Sequence, residues 1–259
     1  MKDEILSIGP ITIHGYGLMI GIGILVAYFV SEYRAKKEGL DSDKMFYLLI
    51  WSVAGGMLGA KLLYYITEIK EIMANPKLLL DIGGGFVVYG GIAAGALTAI
   101  IYCKSQKLDM WKYLDLAIPS VALAQGFGRI GCFLAGCCYG NETSCAIGIT
   151  FKNSQFAPNG ISLMPTQLIS SGLDFLHFLI LIWFAKRKKA DGQVIGLYLI
   201  CYSVGRFVIE FFRGDIERGS VGMLSTSQFI SIFAVLIGIA IFVLQGKRKI
   251  EKRGSEMHF

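Results

Sequence analysis

Seven apolar stretches, each close to the length of a membrane span, decide what this chain can fold into. Crossing a bilayer as a helix takes about 20 mostly apolar residues. Stretches of that kind occupy residues 14–33, 45–66, 85–103, 114–134, 167–185, 194–212 and 226–245 of the 259-residue sequence. Only 17% of the residues are charged, against about a quarter in soluble domains. Glycine is abundant, at 32 residues, which suits helices that approach closely in lipid. The expectation is an all-α integral membrane protein with seven transmembrane helices, forming a single transmembrane domain over 1–259. No cleavable signal peptide is read in "MKDEILSIGP", which lacks a basic region followed by an apolar core.

The net charge of +6 does not indicate nucleic-acid binding. The basic residues stand in short clusters between apolar runs, the pattern of membrane loops. With seven spans, sixteen of the 25 Lys and Arg fall on one side, six on the other, and Lys61, Arg129 and Arg206 within spans or at their ends. This bias puts the N-terminus outside and the C-terminus in the cytoplasm. The longest connection, about 135–166, then faces outward, and long connections often carry function.

Charged residues in an apolar span are costly and mark functional sites by default. Arg129 closes the fourth span. In "YSVGRFVIEFFRGD" the residues Tyr202, Arg206, Glu210 and Arg213 follow at spacings of four, four and three, which places them on one helical face. The guanidinium fork suits phosphate and stays charged. Arginines on two spans at the same side therefore predict a pocket for an anionic group, and a phospholipid headgroup is the anion at hand. The plainer alternative is an internal Arg206–Glu210 pair that fixes helix packing, with Arg213 reaching to the interface. Lys61 in "GGMLGAKLLYY" is read equally as a snorkelling residue or a ligand contact. Tyr16 and Tyr89 sit near span ends, where tyrosine commonly anchors the interface. His14 stands at the same level, and His177 inside the fifth span reads as a hydrogen-bonded core residue.

Six cysteines are present, and Cys132, Cys137, Cys138 and Cys145 lie close together in and after "GRIGCFLAGCCYG". Cys103 and Cys201 read as small buried residues. The cluster contains no Cys-x-x-Cys pair, so its spacing argues only weakly for zinc, and neither a metal nor a cofactor enters the expected site. Packing, a disulfide, and a reactive thiol beside Arg129 or a metal all remain open for the cluster.

Taken in order on seven spans, "GRIG" with its Gly-rich turn, "PTQL" and "YSVGRFVIEFFRGD" resemble bacterial prolipoprotein diacylglyceryl transferases. The resemblance continues through "YGLMIGIG", "GGMLGAKLLYY", "GGFVVYGGIAAG" and "LSTSQFISI". It implies transfer of a diacylglyceryl group from phosphatidylglycerol to the lipobox cysteine thiol of a preprolipoprotein signal peptide, with release of glycerol phosphate, in the bacterial cytoplasmic (inner) membrane. It also implies catalytic roles for Arg129, Arg206, Tyr16 and Tyr89. Substrate contacts fall to Tyr202, Glu210, Arg213, Cys132, Cys137 and Lys61. The partners expected are phosphatidylglycerol, the signal peptide and membrane lipids.

The sequence departs from the family pattern Gly-Arg-x-Gly-Asn-Phe-x-Asn-x-Glu. Cys132 replaces the first Asn, Ala135 the second and Cys137 the Glu; Tyr89 stands where the family has His before Gly-Gly, and Met164 replaces a frequent polar residue. Two alternatives follow: a thiol-dependent membrane lipid or acyl transferase using Cys132, Cys137 or Cys138, and a non-enzymatic lipid-binding or transport protein.

Overall fold

The computed structural model describes residues 4–8, 11–80, 84–215 and 219–256. Lys2 and Arg218, counted in the charge argument, lie outside them. Eight α-helices are described: α1 (Gly15–Lys37), α2 (Ser42–Thr67), α3 (Ile69–Ala74), α4 (Val88–Ser105), α5 (Met110–Ala135), α6 (Thr166–Ala185), α7 (Gln193–Ile209) and α8 (Thr226–Glu256). All but the short α3 are long and apolar enough to cross a membrane. Trp51, Ile101, Trp183 and Leu236 are exposed on them, the surface expected toward lipid.

Helix ends differ from the sequence expectation by up to four residues, for local reasons, except that α8 runs eleven residues past 245 into the basic tail. Asp41 caps α2, its carboxylate accepting from the amides of Asp43 and Lys44. Asp109 does the same for α5 through the Lys112 amide, 3.3 Å away, so that helix starts at 110 and not 114. Gly85 has φ +67° and the chain up to Val87 is not helical, which delays α4 to Val88. The connections are more structured than expected. Among the described residues, three antiparallel two-stranded pairs occur: β1 (Glu4–Ile8) with β2 (Ile11–His14), β3 (Ile149–Thr150) with β4 (Ser162–Leu163), and β5 (Ser220–Val221) with β6 (Leu224–Ser225).

Contacts divide the chain into two compact units. Residues 31–117 form one. There α2 and α4 meet through small residues. A Cβ added at Gly59 would stand 2.1 Å from the Ala94 Cβ and 2.6 Å from the Gly90 carbonyl, so only glycine permits that approach. A core of Met45, Leu48, Cys103 and Leu116 packs nearby. Lys61 donates to the Gly84 carbonyl at 2.6 Å, and its ammonium lies 5.1–5.2 Å from the ring centres of Tyr64, Tyr65 and Phe86. Tyr89 is partly exposed in the first turn of α4.

Residues 1–30 and 118–259 form the other unit. Ala122, Leu181, Val194 and Tyr198 make its core. A smaller cluster of Phe151, Ala157 and Leu163, backed by Phe133 and Tyr139, anchors the long connection. A stack of parallel rings, His177 on Tyr198 on Tyr202, runs along the α6–α7 seam with centroid distances of 5.2 and 5.7 Å.

Candidate phosphate-binding cleft and its thiol turn

The last turn of α5 explains the motif "GRIGCFLAGCCYG". The Cys137 amide bonds to the Cys132 carbonyl at 3.1 Å, and the Gly136 amide to the Phe133 carbonyl at 3.2 Å. These two bonds, with Gly136 at φ +78°, close the helix as a Schellman motif. The turn folds Cys137 back over Cys132, its Sγ 3.7 Å from the Cys132 carbonyl. Cys138 then takes φ +58°, a left-handed conformation that costs a non-glycine residue roughly 1–2 kcal/mol. As a result the sulfurs of Cys132, Cys137 and Cys138 all lie within 4.8 Å of one another, and all three are half-buried.

The start of α6 pins this turn. Thr166 donates its hydroxyl to the Cys138 carbonyl at 2.9 Å, and Gln167 its amide to the Cys137 carbonyl at 2.8 Å. Both residues are 1% exposed. The "PTQL" segment therefore holds the backbone that follows Arg129. The end of α7 pins the other side: Gly214 donates to the Tyr139 carbonyl at 3.0 Å and Asn141 to the Phe212 carbonyl at 2.9 Å.

Glu210 lies at the end of α7, in a 3-10 turn, Glu210–Phe212, and its side chain is 2% exposed. Its Oε2 is 2.9 Å from Arg206 Nη2 and 3.8 Å from Arg213 Nη1. Arg206 also donates to the Ser227 hydroxyl at 2.9 Å, and Arg213 is paired through two nitrogens with Asp215. Burial opposes the Arg213 charge, but Asp215, Cys138 and Glu210 outweigh it and raise its pKa. Hydrogen bonds from Cys132 and then Cys137 hold the Cys138 thiol far below the usual range; burial opposes this, and Arg213 and Arg129 assist.

Arg129 and Arg206 line one cleft, open at its mouth, with Ser170, Asp174, His177 and Tyr202 among the other wall residues. Tyr16, in the first turn of α1, lies against Gly131, where an added Cβ would come within 3.2 Å of its ring, and is in electrostatic reach of Arg129 and the three thiols. Tyr16, Arg129, Cys132, Cys137, Tyr202, Arg206, Glu210 and Arg213 thus gather in one region. Lys61 and Tyr89 belong to the unit of residues 31–117.

Sequence reasoning passed over Asp174. This carboxylate is 7% exposed in the cleft wall and interacts electrostatically with both Arg129 and Arg206. Its signal was present: an acid inside the apolar run "SSGLDFLHFLILIW". His177 is buried, as expected, but its Nε2 has no hydrogen-bond partner among the described residues and it lines the cleft. The contacts of Thr166 and Gln167 were not readable, because they depend on a chain reversal some 30 residues away.

The sequence model for prolipoprotein diacylglyceryl transferase matches residues 3–244. A Clostridium tetani protein named phosphatidylglycerol–prolipoprotein diacylglyceryl transferase is 51% identical over 249 residues, covering 96% of this chain and 100% of that protein. A Clostridium perfringens protein of the same name, numbered 2, is 48% identical over 93% of this chain and 94% of its own length. A Finegoldia magna protein, again of that name, is 35% identical over 97% and 98% respectively.

Proposed function

The chain belongs to the prolipoprotein diacylglyceryl transferase family, and from that membership we propose how its own residues carry out the transfer. The reaction moves a diacylglyceryl group from phosphatidylglycerol to the lipobox cysteine thiol of a preprolipoprotein, in the bacterial cytoplasmic membrane. The sulfur attacks the glyceryl carbon that bears the phosphate. A C–S bond forms, the C–O bond breaks, and glycerol phosphate leaves with the electron pair.

The convergence of Arg129 and Arg206 on one cleft carries this reading. Charge builds on the departing phosphate, and cations already fixed in a partly water-excluded site stabilise it without reorganising. Glu210 holds Arg206 and Arg213 in position from a buried site. Tyr202 shares the cleft wall with the two arginines and interacts electrostatically with both, and Tyr16 lies against the Arg129 turn; both contact the headgroup region in this reading. Asp174 accepts the proton of the incoming thiol. Tyr89, which stands where the family has His, is assigned to catalysis, and Lys61 to substrate contact.

The family match runs across both compact units, which supports one transmembrane domain over 1–259. The bias of basic residues supports an outside N-terminus and a cytoplasmic C-terminus, with the thiol turn and residues 135–166 on the outer side. A C-terminal alkaline phosphatase fusion should be inactive; an active one overturns this orientation.

The activity itself is tested with purified protein in phosphatidylglycerol vesicles and a lipobox peptide. Glycerol phosphate should appear, and the peptide should gain the mass of a diacylglyceryl group. Absence of both, with folded protein, overturns the proposal.

A further inference from the structure

Three cysteine sulfurs converge at the end of α5 although no two of them have the spacing of a usual metal motif. We propose that Cys132, Cys137 and Cys138 form a binding site for a single zinc ion, with a fourth coordination position left open. The inference goes beyond the transferase reading and does not depend on it.

The argument is geometric. Zinc–thiolate bonds of about 2.3 Å put the sulfurs of a tetrahedral site roughly 3.8 Å apart. The three sulfurs already lie within 4.8 Å of one another, so small side-chain rotations suffice. The backbone is built to bring them there. Gly136 at φ +78° reverses the chain through two hydrogen bonds, and Cys138 accepts φ +58°, a conformation that serine or alanine would adopt no more easily. Thr166 and Gln167, both buried, then fix the carbonyls of Cys138 and Cys137. Small residues packing a glycine turn do not require a strained cysteine with its sulfur aimed at two others.

The donor set selects the ion. Thiolates favour zinc and Cu(I) among biological metals. Three thiolates would carry −3 in a half-buried turn. A divalent ion reduces that to −1, and Arg129 and Arg213, both in electrostatic reach of the sulfurs, face what remains. Binding releases the thiol protons to solvent, so charge and atoms balance with no redox partner. Three protein ligands with one open position is the arrangement of a reactive zinc site more than of a closed structural one.

The test uses the full chain, purified in detergent, reduced and freed of metal. Zinc alone is added, excess is removed, and metal is counted by mass spectrometry. About one zinc per chain should remain. Zinc should slow alkylation of Cys132, Cys137 and Cys138 at least about tenfold, because a bound thiolate is withdrawn from attack, while exposed Cys145 reacts unchanged. Cobalt in place of zinc should give sulfur-to-metal charge-transfer absorption. C137S should lose the metal and the absorption. The wild-type measurements stand even if that variant fails to fold. No retained zinc, unchanged alkylation, or a disulfide joining any two of the three in protein taken directly from cells would overturn the site. Each readout is independent of turnover, so failure of the zinc site and failure of the transferase reading are separable.

Discussion

The α2–α4 pair and the meeting point of α5, α6 and α7 each hold a cation within an apolar helix, and they hold it differently. On α2, Lys61 is satisfied by a backbone carbonyl and surrounded by three aromatic faces, and its helix seals against α4 with no room for even one Cβ at Gly59. On α7, Arg206 is held by a buried carboxylate and a serine hydroxyl and still lines a cleft. The first arrangement surrounds its cation with protein groups. The second leaves guanidinium nitrogens beside open space. A cation in an apolar helix is therefore not evidence of a site by itself; the space next to it is.

The sharpest way to break this comparison is at the arginines. Arg206→Ala and Arg129→Ala should each lower turnover by about 10²–10³, the usual cost of removing one preorganised charge-stabilising donor. Arg206→Lys should recover little, because a point charge cannot hold two phosphate oxygens at once. Near-wild-type kcat for Arg206→Lys would reduce Arg206 to a packing cation. Asp174→Asn should come next, with kcat down by about 10²-fold, in the range of a lost acid–base group, and KM little changed. A change confined to KM would remove Asp174 from the proton-transfer role.

Glu210→Gln removes the charge that positions Arg206 and Arg213. Breaking a buried pair costs about 3–5 kcal/mol, which should show as a lower melting temperature together with reduced turnover. If turnover stays intact, Arg206 is positioned by Ser227 and not by Glu210. Gly59→Leu tests the other region: overpacking costs about 1–3 kcal/mol, read by thermal or denaturant unfolding, and an unchanged melting point would show that α2 and α4 are not sealed there.

The smallest effects should come from Cys137→Ala and Lys61→Met. Cys137→Ala should keep measurable turnover, since the incoming substrate supplies the reacting thiol; total loss with a trapped lipid–enzyme adduct would promote the thiol-dependent alternative. Lys61→Met should raise KM for phosphatidylglycerol about threefold, as for one exposed ionic contact, with kcat unchanged.

The seven spans were legible because a 20-residue apolar run has few soluble alternatives, and the Arg206–Glu210 pair because helical spacing is regular; Arg213 lies past the end of α7 in extended backbone, off the helical face expected for it. Helix starts were less so: Asp41 and Asp109 are visible as capping residues only once a helix follows them. The two-residue strands of the β3–β4 and β5–β6 hairpins leave no periodicity to read. The thiol cluster was visible as a composition but not as a constellation, since its convergence depends on the Gly136 reversal and on Cys138 entering left-handed space. Asp174 is a different case. The rule that singled out Arg206 applied equally to it.

The cleft wall has a second consequence. Beside its polar groups stand Leu173, Leu176, Ile180 and Ile209, an oily flank continuous with helices whose apolar side chains face outward. A two-chain lipid carries roughly 30 methylenes, and each costs about 0.8 kcal/mol to expose to water. Lifting such a molecule out of the bilayer would exceed 20 kcal/mol, more than the barrier an ordinary enzyme has to overcome. With this flank, the headgroup alone needs to cross into polar surroundings while the tails stay solvated by other tails. The donor then arrives by diffusion in two dimensions, and its effective concentration is set by the lipid composition of the membrane.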